Sequence, residues 1–305
     1  MTTYVFGHKS PDTDSTGSPL IWAWYLSHKG IEAEARLLGE PNTEAKFVAQ
    51  RWGFDLPPVL GPLEEGQKVV LVDTNNPAEL PDDLHRADVQ AIIDHHKLFG
   101  GIETKAPIDV TIRPLACTAT IMHQMMVADA EAMPEGIKAL VLSCILSDTL
   151  EFRSPTTTEV DRKLAEDLAA DLGVTIPDYA AEMFAAKSDV SAFSEEDLLR
   201  MDSKEYEVGG KTFRVSVLET TSPEQVLARK DALVAAMPVV AQADGADQVL
   251  LFVVDILKEE ATLLVPNDFT RDVAEKSFGK RAEGDTLVLP GVMSRKKQII
   301  PALAV

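Results

Sequence analysis

Five aspartates and three histidines occupy positions in this chain from which they could hold metal ions. His8, Asp12 and Asp14 fall in Gly7-His8-Lys9-Ser10-Pro11-Asp12-Thr13-Asp14, and Asp73 in Val72-Asp73-Thr74-Asn75. Asp94, His95 and His96 are consecutive, and Asp148 lies in Ser147-Asp148-Thr149. Taken singly, an aspartate after an apolar run is a turn former or a helix cap. Taken together, each of these groups terminates an apolar element, and three of the six histidines sit beside aspartates there. His28, His85 and His123 have no such neighbours. Imidazole nitrogen with carboxylate oxygen, and no thiolate, favours Mn²⁺ or Co²⁺ over Zn²⁺. So many ligands exceed what one open catalytic ion needs. They suit two ions about 3.5–4 Å apart that share a bridging carboxylate.

The opposite charge lies in the second half. Ser294-Arg295-Lys296-Lys297-Gln298 stands between the apolar stretches 287–292 and 299–304, which places its cations at a junction of buried elements. Arg suits forked contact with phosphate oxygens, and Lys acts as a point charge. Lys204, in Met201-Asp202-Ser203-Lys204, is a further candidate. Two divalent ions would cancel the charges of Asp12, Asp14, Asp73 and Asp148. Lys204, Arg295 and Lys296 would then match a small phosphoanhydride of about three to four negative charges. A net charge of −20 argues against a broad nucleic-acid face, which needs a basic footprint.

The elements that must carry these residues follow from periodicity. The apolar runs Thr3–Phe6, Glu34–Leu38, Lys68–Val72 and Val89–Ile93 predict strands, with helices over Thr16–Lys29 and Asn42–Trp52 between them. That alternation predicts a parallel sheet flanked by helices, whose ligands gather at the strands' carboxyl ends. Helical spacing dominates from Thr118 to about Ala186 and includes Glu135–Leu150. The small, polar stretch 188–194 predicts a linker between a domain of residues 1–187 and one of residues 195–305. In the latter, Phe213–Leu218, Gln248–Ile256 and Thr262–Val265 predict strands, and Pro223–Ala243 and Asp268–Phe278 predict helices, giving a smaller α/β domain with a mixed sheet. A length of 305 residues accommodates two such domains. Cys117 and Cys144 lie in apolar helical contexts and read as reduced core thiols. With no signal-like start and no apolar run of about 18 residues, the chain is expected to be cytoplasmic and not membrane-bound.

His8-x-x-x-Asp12-x-Asp14, Asp73, Asp94-His95-His96, Asp148 and Ser294-Arg295-Lys296-Lys297 together resemble the family II, manganese-dependent inorganic pyrophosphatases of the DHH phosphoesterase superfamily. The resemblance spans nearly the whole chain and shows no departure at an expected site position. It implies one metal held by His8, Asp12 and Asp73, and a second by Asp14, Asp73, His95 and Asp148, with Asp73 bridging. It implies that His96, Lys204, Arg295 and Lys296 bind the substrate pyrophosphate, and that Asp94 orients its neighbours. It also implies two Mn²⁺ per subunit, replaceable by Co²⁺, with Mg²⁺ arriving on the substrate. The nucleophile would be a hydroxide bridging the two metals, in an active site in the cleft between the domains. A homodimer is implied as well. No insert separates Asp94 from Asp148 beyond the expected length, so nucleotide control of the inserted kind is not expected.

An exopolyphosphatase, or another phosphoesterase of the superfamily, would share the metal-binding half. Nucleases of the superfamily carry a glycine-rich, histidine-containing motif in the second domain. Here Gly209-Gly210 is followed by Lys211, and no histidine follows His123. A non-catalytic binder of metal or phosphate would not need the complete set of ligands and cations.

Overall fold

The computed structural model describes residues 2–305 and divides into two compact units, the first ending at Lys187 and the second starting at Ser188.

The first unit contains β1 (Thr3–Phe6), α1 (Thr13–His28), β2 (Ala33–Ala35), α2 (Thr43–Trp52), β3 (Lys68–Val72), β4 (Asp88–Asp94), β5 (Asp109–Ile112), α3 (Thr118–Met126), α4 (Glu135–Thr149), α5 (Glu159–Leu172) and α6 (Ile176–Lys187). The strands form one parallel sheet in the order β2-β1-β3-β4-β5. Parallel strands need crossovers, and α1 and α2 supply two of them. Val69, Val70, Leu71 and Val72 are all buried, as a strand covered on both faces requires. α4 is apolar nearly all round, with Ile137, Leu140, Val141, Cys144 and Ile145 buried, and packs between α1 and α5. Gly17 lets α1 approach it: a Cβ there would stand 2.7 Å from the Cys144 sulfur.

The second unit contains α7 (Glu195–Arg200), β6 (Ser203–Val208), β7 (Lys211–Thr220), α8 (Pro223–Leu227), α9 (Lys230–Asp244), β8 (Gln248–Asp255), β9 (Glu260–Leu264), α10 (Asp268–Phe278) and β10 (Thr286–Pro290). Its sheet runs β10-β9-β8-β7-β6 and is mixed, with only the β7–β8 pair parallel. The long apolar run of β8 serves two cores. Leu250, Phe252 and Val254 join Val273 and Ala274 of α10, while Val249, Leu251 and Val253 join Leu233, Met237 and Val240 of α9.

The sequence predicts one helix over Pro223–Ala243, whereas the structure has two, parted at Ala228 and Arg229. Arg229 donates to the carbonyls of Val190 and Phe193 and pairs with Glu195, which fastens residues 190–195 to the break between the two helices. Val190 is buried in the same core as α9.

Candidate metal centre

The first loop is built to present ligands. Gly7 sits against the start of α1 so closely that a Cβ would lie 2.0 Å from the Ser15 hydroxyl oxygen. That hydroxyl accepts the His8 N–H at 2.8 Å, which folds the loop onto the helix. Asp12 caps α1: one carboxylate oxygen accepts the Ser15 N–H at 2.9 Å, and the other lies 3.7 Å from His8 Nε2. Burial pushes the Asp12 carboxyl up, but its hydrogen bonds from His8 and the Ser15 amide outweigh this and hold it below the usual value.

Asp14, one residue into the helix, is buried. Its carboxylate accepts Ser18 Oγ at 2.8 Å and the N–H groups of Thr118 and Ala119 at 2.7 and 3.3 Å. Those amides open α3, whose own cap residue, Cys117, makes no side-chain capping bond. The α3 amino end is therefore satisfied by a carboxylate from another helix, and its dipole favours that charge.

Asp73 follows β3 with a backbone φ of 57°, in the left-handed region that Asp tolerates better than most residues. Its N–H donates to the Ile93 carbonyl at 3.0 Å. The turn aims its buried carboxylate between two ligand groups: Oδ2 lies 3.5 Å from His8 Nε2, and Oδ1 lies 3.4 Å from His95 Nε2. Thr118 Oγ1 donates to Oδ1 at 3.2 Å. Asp148, in the last turn of α4, places Oδ2 3.7 Å from His95 Nε2. His95 Nδ1 faces the Leu115 carbonyl at 3.3 Å; the tautomer protonated there would leave Nε2 free to bind metal.

Three overlapping groups of possible ligands result, with the ligand atoms of each within 4.8 Å of one another: His8, Asp12 and Asp73; Asp14, His95 and Asp148; Asp73, His95 and His96. The donors fit divalent ions. Burial first, then the charges of Asp14, Asp12 and Asp148, drive the Asp73 carboxyl well above its usual value. Burial and then Asp14 and Asp12 do the same to Asp148. So crowded a set of carboxylates is unfavourable unless cations neutralise it. The nearby thiols of Cys117 and Cys144 are buried and pushed up, chiefly by that burial, and offer no thiolate. Oxygen with imidazole nitrogen is the donor set of Mn²⁺ or Co²⁺.

Asp94 and His96 form a side network. The His96 N–H donates to Asp94 Oδ1 at 3.0 Å, and the His96 ring Nδ1 lies 2.9 Å from the same oxygen. That ring contact, working against desolvation, raises the His96 pKa. Burial pushes the Asp94 carboxyl up, yet its bonds from His96 and Asn75 hold it low. Asn75 is the hub: its amide donates to Asp94 Oδ2 and to the Lys97 carbonyl, and its oxygen accepts the Phe99 N–H. Sequence reasoning gave no role to Asn75 or Thr118. Their only signal is position, directly beyond a ligand-bearing strand and at a helix start.

The second unit gathers its cations around a cavity of 580 Å³ lined in part by Asp202, Lys204, Tyr206, Ser294, Arg295 and Lys296. Lys204 projects from β6. Arg295 and Lys296 open a wide helical turn over Arg295–Ile299, capped by Ser294. Gln298 fastens that turn, accepting the N–H groups of Met293 and Ser294 at 2.9 Å. Arg295 is held by Asp202, donating to its carbonyl at 2.6 Å and its carboxylate at 2.7 Å.

Residues 2–147 match the DHH family, N-terminal domain, and residues 181–304 match the DHHA2 domain. A probable manganese-dependent inorganic pyrophosphatase of Deinococcus radiodurans is 43% identical, over 98% of this chain and 96% of its own. One from Archaeoglobus fulgidus is 38% identical over the same shares. A crystal structure of a Methanococcus jannaschii putative family II inorganic pyrophosphatase is 33% identical and aligns over 99% of this chain and 98% of its own, with a TM-score of 0.62. An exopolyphosphatase-related protein from Bacteroides fragilis, 12% identical with a TM-score of 0.50, shares the fold. With its parallel sheet, its mixed second sheet and full-length relatives of this identity, the chain belongs to the family II, manganese-dependent inorganic pyrophosphatases of the DHH superfamily.

Proposed function

We propose that this protein hydrolyses inorganic pyrophosphate to two phosphates at a centre of two Mn²⁺ ions. The observation that carries this reading is the placement of Asp73, whose two oxygens face separate ligand groups 3.5 and 3.4 Å away. His8, Asp12 and Asp73 would hold one ion. Asp14, Asp73, His95 and Asp148 would hold the other. When bound, the ions supply positive charge at the reacting phosphoryl group and make water acidic enough to serve as nucleophile near neutral pH. Co²⁺ can replace Mn²⁺ by its donor preference, and Mg²⁺ would arrive with the polyanionic substrate.

The chain's own residues position and neutralise. Lys204, Arg295 and Lys296 bind phosphate oxygens, with the Arg295 fork already oriented by Asp202. His96, its ring basicity raised by Asp94, donates a hydrogen bond or a proton to the leaving phosphate. Phosphoryl transfer depends chiefly on such positioning and charge compensation.

Two substitutions separate these roles. Lys296→Ala should raise KM about 10- to 100-fold and leave kcat within a few-fold, as expected for loss of one charged contact to substrate. Steady-state kinetics that showed only a kcat loss would refute that assignment. Asn75→Ala should slow turnover about 10- to 100-fold by loosening Asp94 and His96. Its Mn²⁺ content should stay at the wild-type level by elemental analysis.

The buried, free thiols Cys117 and Cys144 support a reducing, cytoplasmic setting, the proposed reaction places the protein in phosphate metabolism, and no helix among the described residues is long and apolar enough to cross a membrane. β5 supports a homodimer: it is an edge strand with Val110 exposed, an unpaired ladder suited to a second copy. Light scattering that returned the mass of one chain would refute the dimer.

The deciding assay is phosphate release by metal-stripped protein reloaded with Mn²⁺, Co²⁺, Zn²⁺ or Mg²⁺, with Mg²⁺ present and tripolyphosphate run in parallel. Fast pyrophosphate turnover, strongest after Mn²⁺ or Co²⁺, is expected. Turnover of tripolyphosphate alone would make the protein an exopolyphosphatase.

A further inference from the structure

Glu44 is an acidic side chain that the metal-binding scheme leaves without a role. It lies in the first turn of α2 and is completely buried. Its Oε2 accepts three donors: the Thr13 hydroxyl at 2.7 Å, the Ser147 hydroxyl at 2.6 Å and the Lys187 ammonium at 3.3 Å. Its Oε1 is buried with no hydrogen-bond partner among the described residues.

The location is electrostatically adverse. Burying a carboxylate is costly, and one bare oxygen adds to the cost. Apolar packing between α2, α1 and α4 would be cheaper. What the carboxylate provides is a link between two backbones. Thr13 stands between Asp12 and Asp14, and Ser147 directly precedes Asp148. One oxygen therefore ties the segment that carries ligands of both proposed ions to the helix end that carries a further ligand of one of them.

We infer that Glu44 is a positioning residue: through Thr13 and Ser147 it sets the separation of Asp12 and Asp14 from Asp148, and so the affinity of the centre for its divalent ions. Lys187, the last residue of the first unit, neutralises it. The inference rests on the metal centre proposed above. Hydrogen bonds of this kind around a ligand set govern metal affinity about 10- to 100-fold.

The test uses metal-stripped, full-length protein titrated with Mn²⁺ alone, with free Mn²⁺ read by electron paramagnetic resonance and melting followed in parallel. Glu44→Ala should weaken Mn²⁺ binding at least about tenfold. Glu44→Gln keeps an acceptor for both hydroxyls and should recover most of the loss. Ser147→Ala, which cuts one side of the link, should fall between them. Gln67→Ala removes a buried amide bonded to the Thr2 carbonyl at the far end of β3 and serves as a control for general destabilisation; it should bind Mn²⁺ normally. Wild-type affinity in Glu44→Ala overturns the inference, as does an equal loss in Gln67→Ala or in Glu44→Gln. If Glu44→Ala does not fold, unchanged affinity in Ser147→Ala overturns it. Wild-type protein that takes up no Mn²⁺ would instead overturn the metal centre, and this inference with it.

Discussion

Asp73→Asn should cut kcat/KM by about 10³-fold and reduce bound Mn²⁺ below two per chain, while leaving the metal-free protein at least as stable as wild type. Asparagine is isosteric and tolerates the left-handed backbone found at this residue, whose φ is 57°. It can keep the bond from Thr118 Oγ1. What disappears is a charge facing His8 on one side and His95 on the other. Both ions would lose a ligand at once, which no other substitution in the set achieves. In the absence of metal the same change relieves repulsion among Asp12, Asp14, Asp73 and Asp148, the source of Asp73's raised pKa after burial itself. Opposite signs in the loaded and stripped proteins distinguish a bridging ligand from a residue needed only for folding. A variant with full activity and two Mn²⁺ per chain would disprove the assignment.

Stripping the metal should lower the melting temperature of the first unit by about 8–16 °C. Ligand at about a thousand times its dissociation constant stabilises the state it binds by about 4 kcal/mol, and a domain of this size shifts by about 2–4 °C per kcal/mol. The second unit holds none of the candidate ligand groups found among the described residues and should not respond. The pH dependence should reverse as well. In the stripped protein the Asp73 and Asp148 carboxyls are raised in the fold, so the folded state binds protons that the unfolded chain has released. Their contribution is complete below the unfolded carboxylate range and is lost as pH rises through the folded values. Stripped protein should therefore gain stability on mild acidification, whereas loaded protein should lose it as protons displace the ions. Calorimetry at several pH values, with and without Mn²⁺, reads both slopes; parallel slopes would refute the charge-crowding argument.

The elements that present the candidate ligands were legible because they are buried. β1, β3 and the carboxyl half of β4 are buried apolar runs, and aspartate or histidine stands within two residues of their carboxyl ends. Of the edge strands, β2 was legible in part, as Glu34–Leu38, whereas two others were not. β5 and β6, as Asp109–Ile112 and Ser203–Val208, leave residues exposed along their length, so neither carries an apolar run to read. β10 alternates buried Leu287 and Leu289 with exposed Val288 and was visible only as an apolar flank. Within the candidate site, His8, Asp12, Asp14, Asp73, His95 and Asp148 stood out in the sequence because ligand chemistry restricts residue type, and the fold brings them together. Glu44, Asn75 and Thr118 could not, because their partners lie far along the chain: Glu44 reads as an ordinary acid in a helix's first turn, and only folding brings Ser147 to it.

The hydrogen bonds that fix the candidate ligands bear on which ions the proposed centre would accept. Asp12 is held by the Ser15 amide, Asp14 by Ser18 and two α3 amides, Asp73 by Thr118, and His95 by a carbonyl. A small zinc domain orders its ligands only as metal binds, so the ion bears that conformational entropy. Here folding already orders the candidate ligands, so an ion at the proposed centre would meet walls of set spacing. Such a cage discriminates by ionic radius. On the proposal above, an ion that takes oxygens at about 2.0–2.2 Å should bind more tightly than Ca²⁺, which prefers about 2.3–2.6 Å and more ligands. Selectivity between ions of equal charge is thus a property of the scaffold's stiffness as much as of its donors.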